Sequence, residues 1–240
     1  MSMEQRVLSC CLCMKRPLIL ASPWKVLVVC VAFSFHAASA QERGSAVPGR
    51  QLVIMVDTNP NQKNVLSIEL MVAEGIVQKL AQPLNAFSVI TFGVEPPVLL
   101  KSKVNANAAI AAIRDINLGT QSRGLPSAQL YNALNLAFSQ FTSAEDTNSI
   151  LVISEGNDSP HNRQFKDAVS HAQKLQVTCN VAMVADHTLY GGKAIQRYGF
   201  YVRELAAKTH GRYIEVSNNS KKVSNSISRL SGSMREPGHG

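Results

Sequence analysis

The 240-residue sequence predicts an α/β fold, a doubly wound and mostly parallel open sheet with helices on both faces. Short apolar runs of strand length alternate along the chain with longer segments of helical periodicity. Several runs are apolar at every position, which is typical of strands buried on both faces of a parallel sheet. Hydrophobic residues make up 45% of the chain and charged residues 17%, which excludes an intrinsically disordered protein.

The first strand and the first helix have clear patterns. Leu52–Val56 is apolar throughout and ends at Asp57, as expected of a buried strand. Between 64 and 80 the polar residues form one stripe at helical spacing, and the remaining positions are taken to be apolar and covered. The stripe consists of Asn64, Ser67, Glu74 and Gln78.

The alternation continues through the middle of the chain. Strands are predicted at 87–92, which Gly93 ends, and at 98–100, a short edge strand after a Pro-Pro break. An Ala-rich helix is predicted over 105–116. Residues 130–141 carry apolar side chains at i, i+3, i+4, i+7, i+8 and i+11, the spacing of an amphipathic helix.

The carboxyl-terminal part repeats the same alternation. Its predicted strands are 149–154, 177–184 and 213–216. Its predicted helices are 165–172, 201–209 and 223–230. The strand order along the chain therefore predicts one sheet covered by helices on both sides.

The first 40 residues have the three parts of a secretory signal peptide. Four basic residues precede the apolar run Val26–Phe35, and the small residues Ala38 and Ala40 follow it. The run is shorter than the roughly 20 residues that a membrane span needs, although an uncleaved anchor stays the alternative. We predict a secreted protein or one in the periplasm or cell envelope. The predicted organisation is a signal peptide at 1–40, a linker at 41–50, a domain at 51–231 and a flexible tail at 232–240.

Removing this leader changes the meaning of the charge. The whole chain has 24 basic and 16 acidic residues, a net charge of +8. The leader holds four basic residues and one acid, so 20 and 15 remain, a net charge of +5. These basic residues are scattered and not interleaved with aromatic ones, so no nucleic-acid partner is predicted. Cys179 is the only cysteine left, and its apolar neighbours predict a buried thiol.

Ligands of such sheets bind outside the carboxyl ends of the strands. The loops to consider therefore begin at Asp57, Gly119 and Glu155. No glycine-rich phosphate motif follows the first strand, and no Gly-x-Ser-x-Gly lies at a strand–helix turn. The side chains that would line a binding surface there are Asp57, Asn59, Asn61, Ser127 and Glu155.

Three passages together resemble a von Willebrand factor type A (vWA) domain of the bacterial secreted type, over about residues 50 to 230. The passages are Leu52–Asp57, Leu130–Leu134 and Ile150–Asp158. The resemblance implies the Rossmann-like vWA fold and a non-enzymatic module for protein binding or cell adhesion. It also implies a protein partner, of unknown identity, bound at the carboxyl end of the sheet.

In that family a divalent cation, usually Mg²⁺, is held by an Asp-x-Ser-x-Ser motif, a Thr and an Asp. Asp57 matches the first Asp, but Asn59 and Asn61 stand at the Ser positions and Glu155 at the second Asp. Ala128 stands at the Thr position beside Ser127. Mg²⁺ demands near-ideal octahedral geometry, so the resemblance implies at most a degenerate metal site of Asp57, Asn59, Asn61 and Glu155.

Three alternatives remain open from the residues. Asp57, Asn59 and Asn61 would also suit a cap on the first helix and a turn in the loop. A hydrolase-like enzyme would use Asp57 or Glu155 in the same crevice, although no paired nucleophile is visible. An inert structural component of the envelope would use neither.

Overall fold

Six strands and six helices alternate in the part of the chain that the structure, a computed structural model, describes. The described residues are 49–60, 65–93, 95–118, 129–141, 147–155, 162–185, 192–217 and 220–235. The strands are β1 (Arg50–Asp57), β2 (Ala86–Phe92), β3 (Val98–Val104), β4 (Thr147–Ser154), β5 (Thr178–Ala185) and β6 (Tyr213–Ser217). The helices are α1 (Leu66–Leu80), α2 (Ala106–Arg114), α3 (Gln129–Phe138), α4 (Asn162–Lys174), α5 (Gly192–Lys208) and α6 (Ser220–Arg235).

The strands form one sheet in the order β3-β2-β1-β4-β5-β6. All neighbours are parallel except β2 and β3, which are antiparallel. The chain therefore winds outward from β1 in both directions, which confirms the predicted doubly wound α/β class. Because β1 and β4 are parallel neighbours, the residues that follow them emerge side by side at the same edge of the sheet.

Each face of the sheet is covered by its own apolar layer. Leu52, Ile54 and Val56 of β1 belong to the layer that contains α1, α2 and α6. Val53 and Met55 belong to the opposite layer, with α3, α4 and α5. Side chains alternate between the faces of a strand, so a central strand must be apolar at every position to satisfy both layers. This accounts for the uninterrupted run that predicted β1.

Two elements near the sheet edges are longer than the sequence predicts. β3 runs to Val104 rather than 100, because its second half is polar and lies on an exposed edge, where no second strand covers it. Lys103 within it has a φ of 50°, and its backbone N–H donates to Ser88 Oγ at 3.1 Å. α5 begins at Gly192, nine residues before the predicted start, because residues 192–200 have no clear apolar stripe.

The carboxyl-terminal boundary at 231 is wrong. α6 continues to Arg235, and Leu230, Ser231 and Met234 are buried. Leu230 and Met234 are four residues apart, so both lie on the apolar face of the helix. The serines and the glycine around them make this periodicity hard to see in the sequence. The rest of the predicted tail, the predicted signal peptide and most of the linker lie outside the described residues. No helix among the described residues is long and apolar enough to span a membrane.

The connection between α5 and β6 depends on a glycine without room for a side chain. A Cβ on Gly211 would lie 1.9 Å from the backbone oxygen of Cys179. We expect Gly211→Ala to lower the free energy of unfolding by about 3 kcal/mol, since backbone atoms must shift. Denaturant unfolding of the variant and the wild type measures this loss.

Gly232→Ala is the matched control for that measurement. A Cβ on Gly232 has no atom within 4 Å, and the residue lies within α6. We expect no loss, or a gain of about 0.5–1 kcal/mol from the better helix propensity of alanine. Equal stabilities of the two variants would contradict the close approach at Gly211.

Candidate functional site

Three polar side chains lie close together where the central strands β1 and β4 end. They belong to Asp57, Ser154 and Glu155. Val56 is in register with Ile153, so Asp57 and Ser154 follow as neighbours on adjacent strands. Ser154 Oγ donates a hydrogen bond to Asp57 Oδ2 at 2.7 Å. Glu155 follows Ser154 directly and is buried as well. The parallel pairing of two strands that are 97 residues apart in sequence thus brings these polar groups together at one edge of the sheet.

The loop after β1 is fixed by two sets of hydrogen bonds. The backbone N–H of Asn59 donates to Asp57 Oδ1 at 3.0 Å, which is an Asx turn. The backbone N–H and the hydroxyl of Thr58 both donate to the carbonyl oxygen of Phe92, at 2.7 and 3.1 Å. A Cβ on Gly93 would lie 3.1 Å from the nitrogen of Asn59, so a glycine there allows this close approach. Asp57 is therefore held by its own loop and by β4.

The predicted cap on the first helix is wrong for Asp57 and Asn59. The N-cap residue of α1 is Val65, and no side chain caps that end. Asp57 turns the loop but does not terminate the helix, because the chain continues past it for eight residues before α1 begins. Asn61, the third residue of that alternative, lies outside the described residues.

The structure brings three of the five predicted site residues to one edge. Asp57 and Glu155 are buried there, and Asn59 is partly exposed beside Asp57. Asn61 and Ser127 lie outside the described residues, as does Ala128 at the position of the family's Thr. The role of these side chains in binding a partner stays a prediction.

A further carboxyl group beneath this edge is absent from the predicted site. Glu69 of α1 is completely buried, and neither carboxyl oxygen has a hydrogen-bond partner within the described part of the chain. Burial raises the pKa of Glu69 well above its ordinary value, and the negative charges of Asp57 and Glu155 raise that pKa further. The neutral acid is therefore favoured at Glu69.

The helical periodicity of the sequence already places Glu69 on the buried face of α1. Val65, Glu69, Val72 and Ile76 recur at intervals of four and three, on the face opposite the polar stripe. The prediction that all positions outside the polar stripe are apolar is therefore wrong at Glu69. An acid on the buried face of a helix is rare unless it has a function, because burying a charge without a partner is costly.

The described donors at this edge do not by themselves make up a Mg²⁺ site, and Asn61 lies outside the described residues. Both carboxylate oxygens of Asp57 already accept hydrogen bonds, from Asn59 and Ser154. Among the described residues, no group of three His, Cys, Asp or Glu side chains is arranged to hold a metal ion. Mg²⁺ requires six oxygen donors in near-ideal octahedral geometry. No step of binding is therefore assigned to a cation.

The raised pKa of Glu69 predicts a pH-dependent loss of stability. The folded-state pKa exceeds the unfolded value of about 4.3, so the loss begins above that pH and grows as pH rises through the folded pKa. Glu69→Gln cannot ionise. We therefore expect the stability of this variant relative to the wild type to increase as pH rises above about 4.3, because only the wild type must hold a proton on a buried acid or ionise it.

Denaturant unfolding at several pH values measures this difference, and Glu74→Gln on the outer face of α1 is the control. Glu74 forms an exposed ion pair with Arg114, so we expect its replacement to change stability by less than about 1 kcal/mol. A stability difference for Glu69→Gln that is the same at all pH values would refute the raised pKa.

No protein-family model matches the chain, and no curated protein matches it either. Solved structures are similar in fold. The conserved hypothetical protein BatB from Bacteroides thetaiotaomicron has a TM-score of 0.58 and 15% identity, covering 78% of this chain and 100% of its own. An aerotolerance-related membrane protein from Bacteroides fragilis has a TM-score of 0.56 and 17% identity, covering 77% and 99%.

The VWA domain of SpRpn10 has a TM-score of 0.52 and 12% identity, with 75% of this chain and 94% of that domain covered. Such low identities establish the fold and leave the function open. The doubly wound strand order agrees with this likeness. The chain therefore has the von Willebrand factor type A fold.

Proposed function

We propose that the protein is an exported protein-binding or adhesion module that engages a partner through the loops at the carboxyl-terminal edge of its sheet. The observation that carries this proposal is the group of acids Asp57, Glu155 and the buried Glu69, and the binding site proposed over them is called the acidic crevice. These groups reduce stability by mutual repulsion and burial, and such arrangements cluster at functional sites. The fold likeness to an aerotolerance-related membrane protein of Bacteroides fragilis supports a place in the cell envelope.

The charge of the crevice indicates the chemistry of the partner. In the family that the sequence resembles, a cation joins the site to a carboxylate of the partner. Here the described donors alone do not complete a Mg²⁺ site, and the edge is rich in carboxyl groups. A lysine or arginine side chain of the partner supplies the missing positive charge directly, through charge-assisted hydrogen bonds. Asn59, which is partly exposed beside Asp57, would contact the peptide groups next to such a residue.

Affinity capture from envelope extracts tests this function. We expect the wild-type protein to retain a partner that the Asp57→Asn/Glu155→Gln variant loses, because removing both charges leaves a basic side chain uncompensated. Quantitative mass spectrometry of the captured proteins measures the loss, which should be at least about tenfold. Thermal melts of both proteins show whether the variant is folded.

Asp115→Asn/Asp167→Asn is the control for net charge. Asp115 lies at the end of α2 and Asp167 lies on α4, and both are exposed. This variant therefore removes two negative charges without changing the crevice. It should capture the same partner as the wild type. Identical partner lists for all three proteins would mean that the crevice is not the binding surface, which would favour the inert envelope component.

A thermal melt with and without millimolar Mg²⁺ tests the role of a cation. An ion that binds only the folded state must raise the midpoint. We expect the midpoint to move by less than about 1 °C on adding Mg²⁺ or EDTA, since the donors present do not complete an octahedron. A rise of several degrees that Asp57→Asn abolishes would restore the cation-dependent site.

A further inference from the structure

A groove between α1 and α6 is independent of the acidic crevice. Its volume is about 860 Å³, and it follows the outer side of both helices. Leu70, Met71 and Ile227 provide apolar lining, and the side chain of Met71 is 44% exposed. A Cβ on Gly75 would lie 2.5 Å from Cδ1 of Ile227, so the glycine lets this isoleucine lie against α1. The result is an open apolar floor where most helix surfaces are polar.

Among the polar side chains that line the groove, only Lys79 has a charge that is not neutralised by a described ion pair. Ser67, Gln78 and Ser224 are neutral. The carboxylate of Glu74 is neutralised by Arg114, whose Nη2 lies 2.9 Å from Glu74 Oε2. Lys79 is exposed near the carboxyl end of α1, and none of the described acidic side chains forms an ion pair with it.

Two arginines extend this positive charge into a basic cluster, defined as Arg50, Lys79 and Arg235. The guanidinium of Arg235 donates to the backbone oxygen of Lys79, and that of Arg50 donates to the backbone oxygen of Arg235 at 3.2 Å. Burial and the charge of Arg235 lower the pKa of Arg50. One cation at a helix carboxyl end is ordinary. Three cations around two helix ends, with no acid of the described chain in contact, form a site that favours an anion.

We propose that the α1–α6 groove binds a single-chain anionic amphiphile, with its acyl chain on Leu70, Met71 and Ile227 and its phosphate at the basic cluster. From Ser67 to Lys79 the groove follows α1 for about 18 Å at 1.5 Å per residue. One acyl chain fills about half of the roughly 30 Å bilayer core. The volume is also that of a small-ligand site, whereas a helix 10–12 Å across would lie over the groove.

Calorimetric titration of the full chain with monomeric lysophosphatidylglycerol, below its micelle concentration, tests the proposal. We expect binding at least tenfold tighter than that of zwitterionic lysophosphatidylcholine, because the basic cluster pairs with net negative charge. Lys79→Gln should weaken lysophosphatidylglycerol binding about tenfold, and Met71→Ser should weaken both lipids by a similar factor. Both side chains are exposed, so circular dichroism should show unchanged folding.

Val98→Ser and Lys101→Gln are the matched controls, because they remove an exposed apolar group and an exposed cation from β3. Both should bind lysophosphatidylglycerol like the wild type, and binding by the apolar run of residues 26–35 would be the same in every variant. Equal affinities of all variants would overturn the proposal. Binding to phosphatidylglycerol vesicles but not to the monomer would also overturn it and would assign the groove to a membrane surface. Binding to an acidic amphipathic peptide but not to the lipid would overturn it in favour of a helix.

Discussion

The burial of β1 on both faces is the constraint on which the rest of the structure depends. Its apolar side chains alternate between two layers of helices, and parallel neighbours pair with it on both sides. A strand in this position has no solvent-exposed face, so a polar side chain is costly there until the strand leaves the layers. Asp57 is the first residue at which that becomes possible. The same burial that stabilises the domain therefore places its first polar group at the centre of one edge.

The acids at this edge lower the stability of the folded domain. Asp57 is compensated by hydrogen bonds from Asn59 and Ser154, whereas Glu69 lies beneath it without a hydrogen-bond partner in the described chain. Replacing an unpaired buried acid with an apolar residue would be expected to stabilise a purely structural domain. A buried acid held in its neutral form beside Asp57 and Glu155 is consistent with a functional site rather than a purely structural one.

The two ends of the sheet have opposite character. The carboxyl-terminal edge collects acids at the ends of β1 and β4, and the opposite edge collects cations where α1 and α6 end. The winding of the chain produces this separation, because parallel strands point the same way and the helices that connect them return. A protein partner at the acidic crevice and an anionic amphiphile at the basic cluster would therefore bind at opposite ends, and each can be tested without disturbing the other.

Local patterns in the sequence were enough to predict every strand and helix of the described chain, and to predict that Asp57 and Glu155 follow central strands. Those patterns work because burial on two faces demands apolar runs, and burial on one face of a helix demands a stripe. They fail where an exposed edge or a serine-rich surface weakens the demand, as in β3, the start of α5 and the end of α6.

Contacts between distant residues were decided only by the tertiary structure. Ser154 meets Asp57 because β4 crosses back beside β1, and Arg50 meets Arg235 although 185 positions separate them. The position of Glu69 on a buried helix face was present in the spacing, but its repulsive neighbours come from two other elements. The sequence by itself determined which side chains end the strands. The packing of parallel strands and returning helices decided which of them share a site, because electrostatic and hydrogen-bond partners depend on distance in space and not on separation along the chain.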